Sequence, residues 1–518
     1  MKKTLILTVT FIFLCIATYI VSSYYFGLRA EQTLSARRDV ISNTSGLTVE
    51  KYNYNRSLFS SEEEITIRLL PQLADKIGDS LPEQLRTLLK DPIIVKSHVK
   101  HGPWIGNRVG IAKVNSEFIF TDAQKRTLKQ FFDDDMPVSL TDTISLSGSG
   151  RLYLKVLNFE YKELSGIEIK WGGLNINTQY KPLYSQYESH ITAPSLEIIL
   201  ADQGDISLKK FDYLTHTARV SPIHTGDSTL SLEKFELNWN QQTKYRIRLN
   251  DLVNMLGNLQ VGGFINPSVE LPPTHISIDH FMLNTSLELD NEFVDAQGKI
   301  GFDKMVYAEE TYGPMVIDVS AEHLHAGSLK AVRDKLSNIT IDPDKEEWRE
   351  QVIAIAHKEG LPLFANDPKF SLRTFNFNMP SGKISLDGFF SLNDIKERDL
   401  DDVNLLVPKI NAEFQYSIPM KVVEDLAQSQ VSTLFAVDEN NNNQHLDEIR
   451  ETIQIMTNNV IDNLVEQGYL KRNNNVLSGT LSLKDGSLAM NGMLVDLNNE
   501  QDDDNEEDFE EDVEEKEE

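Results

Sequence analysis

The stretch LSLKDGSLAM, Leu481 to Met490, decides the fold class. Apolar and polar residues alternate up to Asp485-Gly486 and again after it, and the Asp-Gly pair suits the two positive-φ positions of a type I′ turn. Such a turn sets Leu483 opposite Leu488 and Leu481 opposite Met490, so both strands put their apolar residues on one face. The pattern recurs upstream. Phe375, Phe377 and Met379 alternate up to Pro380-Ser381-Gly382-Lys383, and Ile384, Leu386 and Phe390 alternate away from it, which predicts a second hairpin. Farther out, Ile65-Thr66-Ile67-Arg68-Leu69, Ile144-Ser145-Leu146-Ser147, Leu152-Tyr153-Leu154-Lys155-Val156, Ile167-Glu168-Ile169-Lys170-Trp171 and Ile276-Ser277-Ile278 keep the same period of two. The body is therefore expected to be mainly β with some α, an elongated, curved antiparallel sheet carrying a few packed helices.

A 3.6-residue period is confined to a few segments: Ser80 to Lys90, His325 to Leu336, Asp342 to His357, Met420 to Phe435, and Leu446 to Tyr469, which closes near Gly468, a natural left-handed cap. These are too few to cover the whole apolar face of so long a sheet. Two arrangements stay open, a partly exposed apolar trough and a sheet folded on itself, and the second is the plainer expectation.

From Thr4 to Leu28 the chain holds no charged residue and is mostly apolar. As a helix this run extends about 37 Å, enough to cross a bilayer with tilt. It is longer than the apolar core of a cleaved signal peptide, although Val21-Ser22-Ser23 offers a poor cleavage site. Cys15 follows Leu14 rather than a small residue, so a lipoprotein box is not supported. Lys2 and Lys3 abut the apolar run, whereas Arg37 and Arg38 lie farther off than Arg29, a layout that favours an uncleaved anchor and an exported body. The expected organisation is a transmembrane signal-anchor over 1–28, a linker over 29–45 with a short helix from Glu31 to Ser45, a β-rich body over 46–499, and a disordered acidic tail over 500–518. Between Gln501 and Glu518 that tail carries 13 acidic residues and one lysine.

Charge and cysteine usage exclude several classes. Lys and Arg number 50 against 79 Asp and Glu in 518 residues, a net charge of -29 that repels phosphate backbones, so nucleic acid is not an expected partner. The single cysteine rules out an intrachain disulfide, a CxxC pair and a cysteine zinc site.

Candidate chemistry is sparse. His101-Gly102-Pro103-Trp104, with His98 upstream, places an imidazole beside a turn, but no carboxylate or nucleophile accompanies it locally, and a structural turn is the plainer expectation. Trp171-Gly172-Gly173-Leu174 ends a strand, and its glycines point to a bulge or a close backbone approach. Asp438 to Asn443 is similar to an oxygen-rich calcium loop, yet it fails the EF-hand pattern with Asn443 at position six and Ile449 at position twelve. His323 and His325 would share a strand face, but Glu322 alone is adjacent and points the other way, too few ligands for zinc. The sequence contains no HExxH, GxSxG, Walker-type or dinucleotide motif. No catalytic, cofactor-binding or metal residue is therefore assigned, and no enzyme is expected.

Several blocks together resemble the bacterial YdgA-like family of inner-membrane proteins, a domain of unknown function. They are the N-terminal anchor, GLTVEKYNYNRSLFSS at Gly46 to Ser61, HGPW at His101 to Trp104, WGGL at Trp171 to Leu174, and NLVEQGYLKRNNNVLSGTLSLKDGSLAMNG at Asn463 to Gly492. Ser57 replaces the glycine usual in the family's Tyr-x-Arg-Gly-x-Phe-x-Ser pattern, and the acidic tail looks like an addition. The resemblance covers nearly the whole chain and implies an envelope location, with the body in the periplasm. The chain is also loosely similar to AsmA-like envelope proteins, β-rich and anchored by one helix, which are associated with phospholipid traffic and outer-membrane homeostasis; that likeness is an analogy of fold. The expected function is non-enzymatic: lipid handling or envelope homeostasis, with acyl chains held at alternating apolar positions such as Leu481, Leu483, Leu488, Met490, Ile384 and Leu386. The alternative is an interaction scaffold or homo-oligomeric assembly factor that docks through exposed sheet edges. Expected partners are the membrane, phospholipid and a second copy of the chain.

Overall fold

A computed structural model describes residues 2–42, 47–69, 86, 90–132, 137–164, 166–240, 275–307, 309–336, 347–399, 402–424, 427 and 443–495. Most of the helices expected at 80–90 and 420–435, the loop from Asp438 to residue 442, and the acidic tail lie outside these residues.

The first element, α1 (Lys2–Ser42), is one continuous helix with two unlike halves. From Ile6 to Val21 its apolar side chains are exposed, and this is the segment long and apolar enough to cross a membrane. From Ser23 onward a stripe of Ser23, Gly27, Ala30, Leu34 and Arg37 is buried, a spacing of three and four residues that turns one helix face into the body. The separate linker helix expected from Glu31 is thus not a separate element. Residues 29–42 continue the anchor without a break and seat it in the protein.

The strands run β1 (Leu47–Arg56), β2 (Ser60–Leu69), β3 (Ile93–His101), β4 (Trp104–Ile105), β5 (Arg108–Val109), β6 (Ala112–Ile119), β7 (Val138–Ile144), β8 (Gly150–Val156) and β9 (Phe159–Lys162). They continue with β10 (Ile167–Trp171), β11 (Leu174–Tyr180), β12 (Gln186–Leu200), β13 (Gly204–Arg219), β14 (His224–Trp239), β15 (His275–Asp290), β16 (Phe293–Phe302), β17 (Lys304–Tyr307) and β18 (Glu310–Tyr312). The last are β19 (Met315–His325), β20 (Lys369–Met379), β21 (Gly382–Leu392), β22 (Ile410–Pro419), β23 (Lys471–Asn473), β24 (Val476–Lys484), β25 (Ser487–Met490) and β26 (Met493–Leu494). Among the described residues, all but the short β4–β5 ribbon join one 24-stranded sheet. Its main path is antiparallel and follows the chain: β1, β2, β3, β6, β7, β8, β11, β12, β13, β14, β15, β16, β19, β20, β21, β22, β24, β25, β26.

Both hairpins take the register their side chains dictate. Asp485 and Gly486 turn with φ of 51° and 79°, setting Leu483 against Leu488 and Leu481 against Met490. Phe375 faces Leu386 and Phe377 faces Ile384 across the second turn. At Trp171-Gly172-Gly173 the strand breaks into β10 and β11. A Cβ on Gly172 would lie 2.6 Å from Ser195 Oγ, and Gly173 takes φ 94°, so the glycines let β12 run close beside the break.

Among the described residues, helices cover the sheet only locally. Among these residues the longer helices after α1 are α2 (Asp122–Phe131), opened by a capping box between Thr121 and Gln124, then α3 (Ala326–Leu336), α4 (Glu347–Phe364) and α5 (Asn443–Glu466). The turn after α5 closes through Gly468 at φ 81°, as its sequence predicts. Leu329 and Val332 of α3 and Leu363 of α4 pack with Leu287, Ala321 and Phe370 of the sheet, and Ile461 of α5 packs with Met420 and Leu477. At the other end Ala30 and Leu34 of α1 join Val99, Val114 and Ile144.

Candidate functional site: an apolar sheet face that begins at the anchor

Residues directly opposite on neighbouring antiparallel strands share a face. One such row can be followed from β7 to β22: Leu140, Leu154, Ile176, Ile191, Tyr213, Leu230, Leu283, Ile300, Ile317, Phe375, Leu386 and Tyr416. Every member is apolar or aromatic. At 4.7–4.9 Å per strand the row is about 50 Å long. Each of these side chains is partly exposed and none is fully buried, whereas the interior of a sheet folded on itself would bury them.

The face is continuous with the anchor's seat. Running back from Leu140, the same row passes through Ser116, Ser97 and Glu63 to Tyr54, and Glu63 binds Arg37 of α1. Two residues along β8 from Leu154, Leu152 packs with Ala36 and Val40 at the end of α1. Farther down the sheet, Leu287 lies four residues from Leu283 on β15 and so shares its face. Its own cross-strand row runs through Ala296, Ala321, Phe370, Phe390 and Ala412 to Leu483 and Leu488. Here Ala296, Val319, Phe370, Leu372, Phe390 and Phe414 line a cleft of about 480 Å³ that is almost wholly apolar. The sequence positions singled out as apolar contacts, Ile384, Leu386, Leu483 and Leu488, therefore lie on or beside this face, and Leu481 and Met490 pair one step away.

A buried charge cluster holds α1 against the head of the face. Arg37 Nη2 donates to Glu63 Oε2 at 2.5 Å, Arg37 Nη1 lies 3.4 Å from Asp142 Oδ2, and the Tyr180 hydroxyl donates to Asp142 Oδ1 at 2.7 Å. Arg37, Glu63 and Asp142 are all at most 5% exposed. Burial alone would pull the Arg37 pKa down, but the two facing carboxylates hold it above the ordinary arginine value. One cation for two acids leaves a net negative charge out of water. Burial accordingly raises the Asp142 pKa, against the opposing pull of Arg37 and the Tyr180 hydroxyl. The Tyr180 and Tyr184 rings stack at 4.0 Å beside the cluster, and burial with the Asp142 charge raises both phenols.

His101 belongs to the same seat. Its Nδ1 lies 3.0 Å from the Ser23 carbonyl oxygen and its Nε2 3.1 Å from Ser61 Oγ, while Ser23 Oγ donates to the Leu58 carbonyl at 3.1 Å. A Cβ on Gly27 would sit 2.7 Å from the imidazole, so the glycine makes room for the ring. His98 is exposed on the opposite face of β3, and the two histidines do not meet. Trp104 stands exposed on the β4–β5 ribbon. His323 stacks on Phe293 at 3.9 Å with Nδ1 against the Asn366 carbonyl, and His325 Nδ1 pairs with Ser328 at the start of α3. Among the described residues no three His, Cys, Asp or Glu side chains converge as metal ligands. The reading of individual residues missed Arg37, Glu63 and Asp142; the one available signal was an arginine continuing the small-residue spacing of α1.

One apolar N-terminal helix seated in a single long antiparallel sheet defines a membrane-anchored β-sheet protein. The chain matches the family described as bacterial protein of unknown function, DUF945, over residues 1–498, and it belongs to that family, the YdgA-like group its motifs resemble. No curated protein and no solved structure matches it.

Proposed function

We propose that this protein is a non-enzymatic component of the bacterial envelope, anchored in the inner membrane with its body in the periplasm, that holds lipid acyl chains along the apolar sheet face. The observation that carries this reading is the partly exposed row from Leu140 to Tyr416, which starts where the anchor is seated and passes the cleft at Phe370, Phe390 and Phe414. An acyl chain that buries roughly 400 Å² there, at about 25 cal/mol per Å², gains about 10 kcal/mol before the costs of ordering. Such binding is driven by area and needs no catalytic group.

The test uses the full chain in phosphatidylethanolamine and phosphatidylglycerol vesicles doped with a phospholipid bearing a photoreactive acyl chain. Adducts are expected on peptides of β15 to β22 as well as on α1, and Phe390→Glu is expected to remove the former. Adducts confined to α1 refute the reading. A second reading, self-association through a sheet edge, draws on β26: among the described residues it pairs only with β25, and Met493 and Leu494 are exposed. A discrete chain-to-chain cross-link through β26, with no lipid adduct on the sheet, selects it.

A further inference from the structure

The geometry points to a second membrane contact made by the body itself: the tips of the β1–β2 and β4–β5 hairpins enter the bilayer interface beside α1. This inference is independent of the lipid-holding reading, because it concerns a different surface.

The uncharged part of α1 from Thr4 to Ser22, whose large apolar side chains from Ile6 to Val21 are exposed, spans about 28 Å as a helix, close to the roughly 30 Å thickness of a bilayer's hydrocarbon core. Ser23 begins the buried stripe, so the boundary of the core falls near Tyr19 to Ser23, and Tyr19, Tyr24 and Tyr25 supply the aromatic residues favoured at that depth. Two hairpin tips sit at this same level. Phe59 stacks on Tyr19 with ring centroids 5.9 Å apart, and the neighbouring Leu58 carbonyl accepts the Ser23 hydroxyl. Gly102 lies against both: a Cβ there would be 3.2 Å from Ser23 Oγ and 3.9 Å from the Tyr19 hydroxyl. Two residues on, Trp104 pairs with Val109 across the β4–β5 ribbon.

These tips place large apolar side chains where a soluble protein would bury them. Trp104 is 66% exposed, and Leu58, Phe59 and Val109 are exposed as well. Beneath them Ile105 and Ile111 are buried, so the ribbon is anchored from below and its outward face is fixed. Arg108, exposed on the same ribbon, adds a cation suited to headgroup phosphates. The patch is continuous with the lipid-facing surface of α1, and that continuity selects the bilayer as its occupant. Tryptophan, phenylalanine and leucine beside a tyrosine belt suit the interface, where an apolar ring and a polar edge are both satisfied. With the helix as one contact and the hairpin tips as another, the body is held at a set tilt and rotation on the membrane instead of swivelling on a single stalk.

The test reads the depth of Trp104 in the full chain reconstituted into phosphatidylcholine vesicles whose acyl chains are brominated at carbons 6 and 7 or at carbons 11 and 12. Tryptophan emission is expected to be quenched more strongly by the shallow bromines, and Trp104→Phe is expected to abolish that quenched component. Because Trp104 is largely exposed, the variant retains its fold, which an unchanged melting temperature verifies. As a second readout, a fluorophore on Phe59→Cys in a Cys15→Ser background is expected to shift to the blue on reconstitution, while one on Val403→Cys, also exposed, does not. Quenching that survives Trp104→Phe, or a Phe59 probe as solvated as the Val403 probe, overturns the proposal; so does a protein partner that shields Trp104 in place of lipid.

Discussion

Replacing Arg37 with methionine removes the cation of a buried cluster while keeping most of the bulk of its stem. Glu63 and Asp142, at 2% and 0% exposure, then face each other without a counter-charge. Removing one partner of a buried ion pair costs about 3–5 kcal/mol, because the remaining charge is left out of water without compensation. Hydrogen exchange of the α1 amides between residues 30 and 40, measured on the full chain in lipid nanodiscs, reports the opening of this seat directly. Arg37→Met is expected to speed that exchange at least about 150-fold at pH 7, the equivalent of about 3 kcal/mol, and by less at pH 5, where Asp142, its pKa raised by burial, takes up a proton more readily. Exchange within about fivefold of wild type at pH 7 would refute the electrostatic account. An equal defect at both pH values would instead assign the effect to lost packing of the arginine stem.

The remaining predictions address the same seat from other sides. Gly27→Ala drives a Cβ against the His101 ring and is expected to cost about 1–3 kcal/mol despite the better helix propensity of alanine, with partial recovery in Gly27→Ala/His101→Ala; denaturant midpoints measure both. Leu34→Ala, in a side chain with no exposed surface, is expected to cost about 2–5 kcal/mol by the same measurement. Asp142 has a folded-state pKa raised above 3.8, so the folded chain holds its proton more tightly than the unfolded chain. Its stabilising contribution is complete below 3.8 and is lost as pH rises through the folded value; Asp142→Asn is expected to flatten that part of the stability curve, and an unchanged slope counts against the assignment.

Much of this was readable from residue order alone, because the signals are local. A period of two with an Asp-Gly turn forces the register of β24 and β25, and an uncharged run from Thr4 to Leu28 makes a helix long enough for a bilayer. The helices at 326–336 and 443–466 announced themselves by period and, for the second, by its glycine cap. By contrast, the seat of α1 is built from Ser23, Gly27, Ala30, Leu34 and Arg37, mostly small or polar residues that give no amphipathic pattern because their role is close approach. His101 looked like a turn residue, and only the packed structure sets its ring over Gly27. Arg37 meets Glu63 across 26 residues of chain and Asp142 across 105. The apolar face is a property of register: each strand fixes by itself which of its residues alternate, but the pairing of successive strands decides that Leu140, Leu230, Ile317 and Leu386 share one row. Local alternation thus determined that there would be a β-sheet with an apolar side and one helix to hold it to a membrane. That the helix enters the sheet, and that the row from Leu140 to Tyr416 stays partly exposed, was decided by contacts between distant residues, which only the tertiary structure brings together.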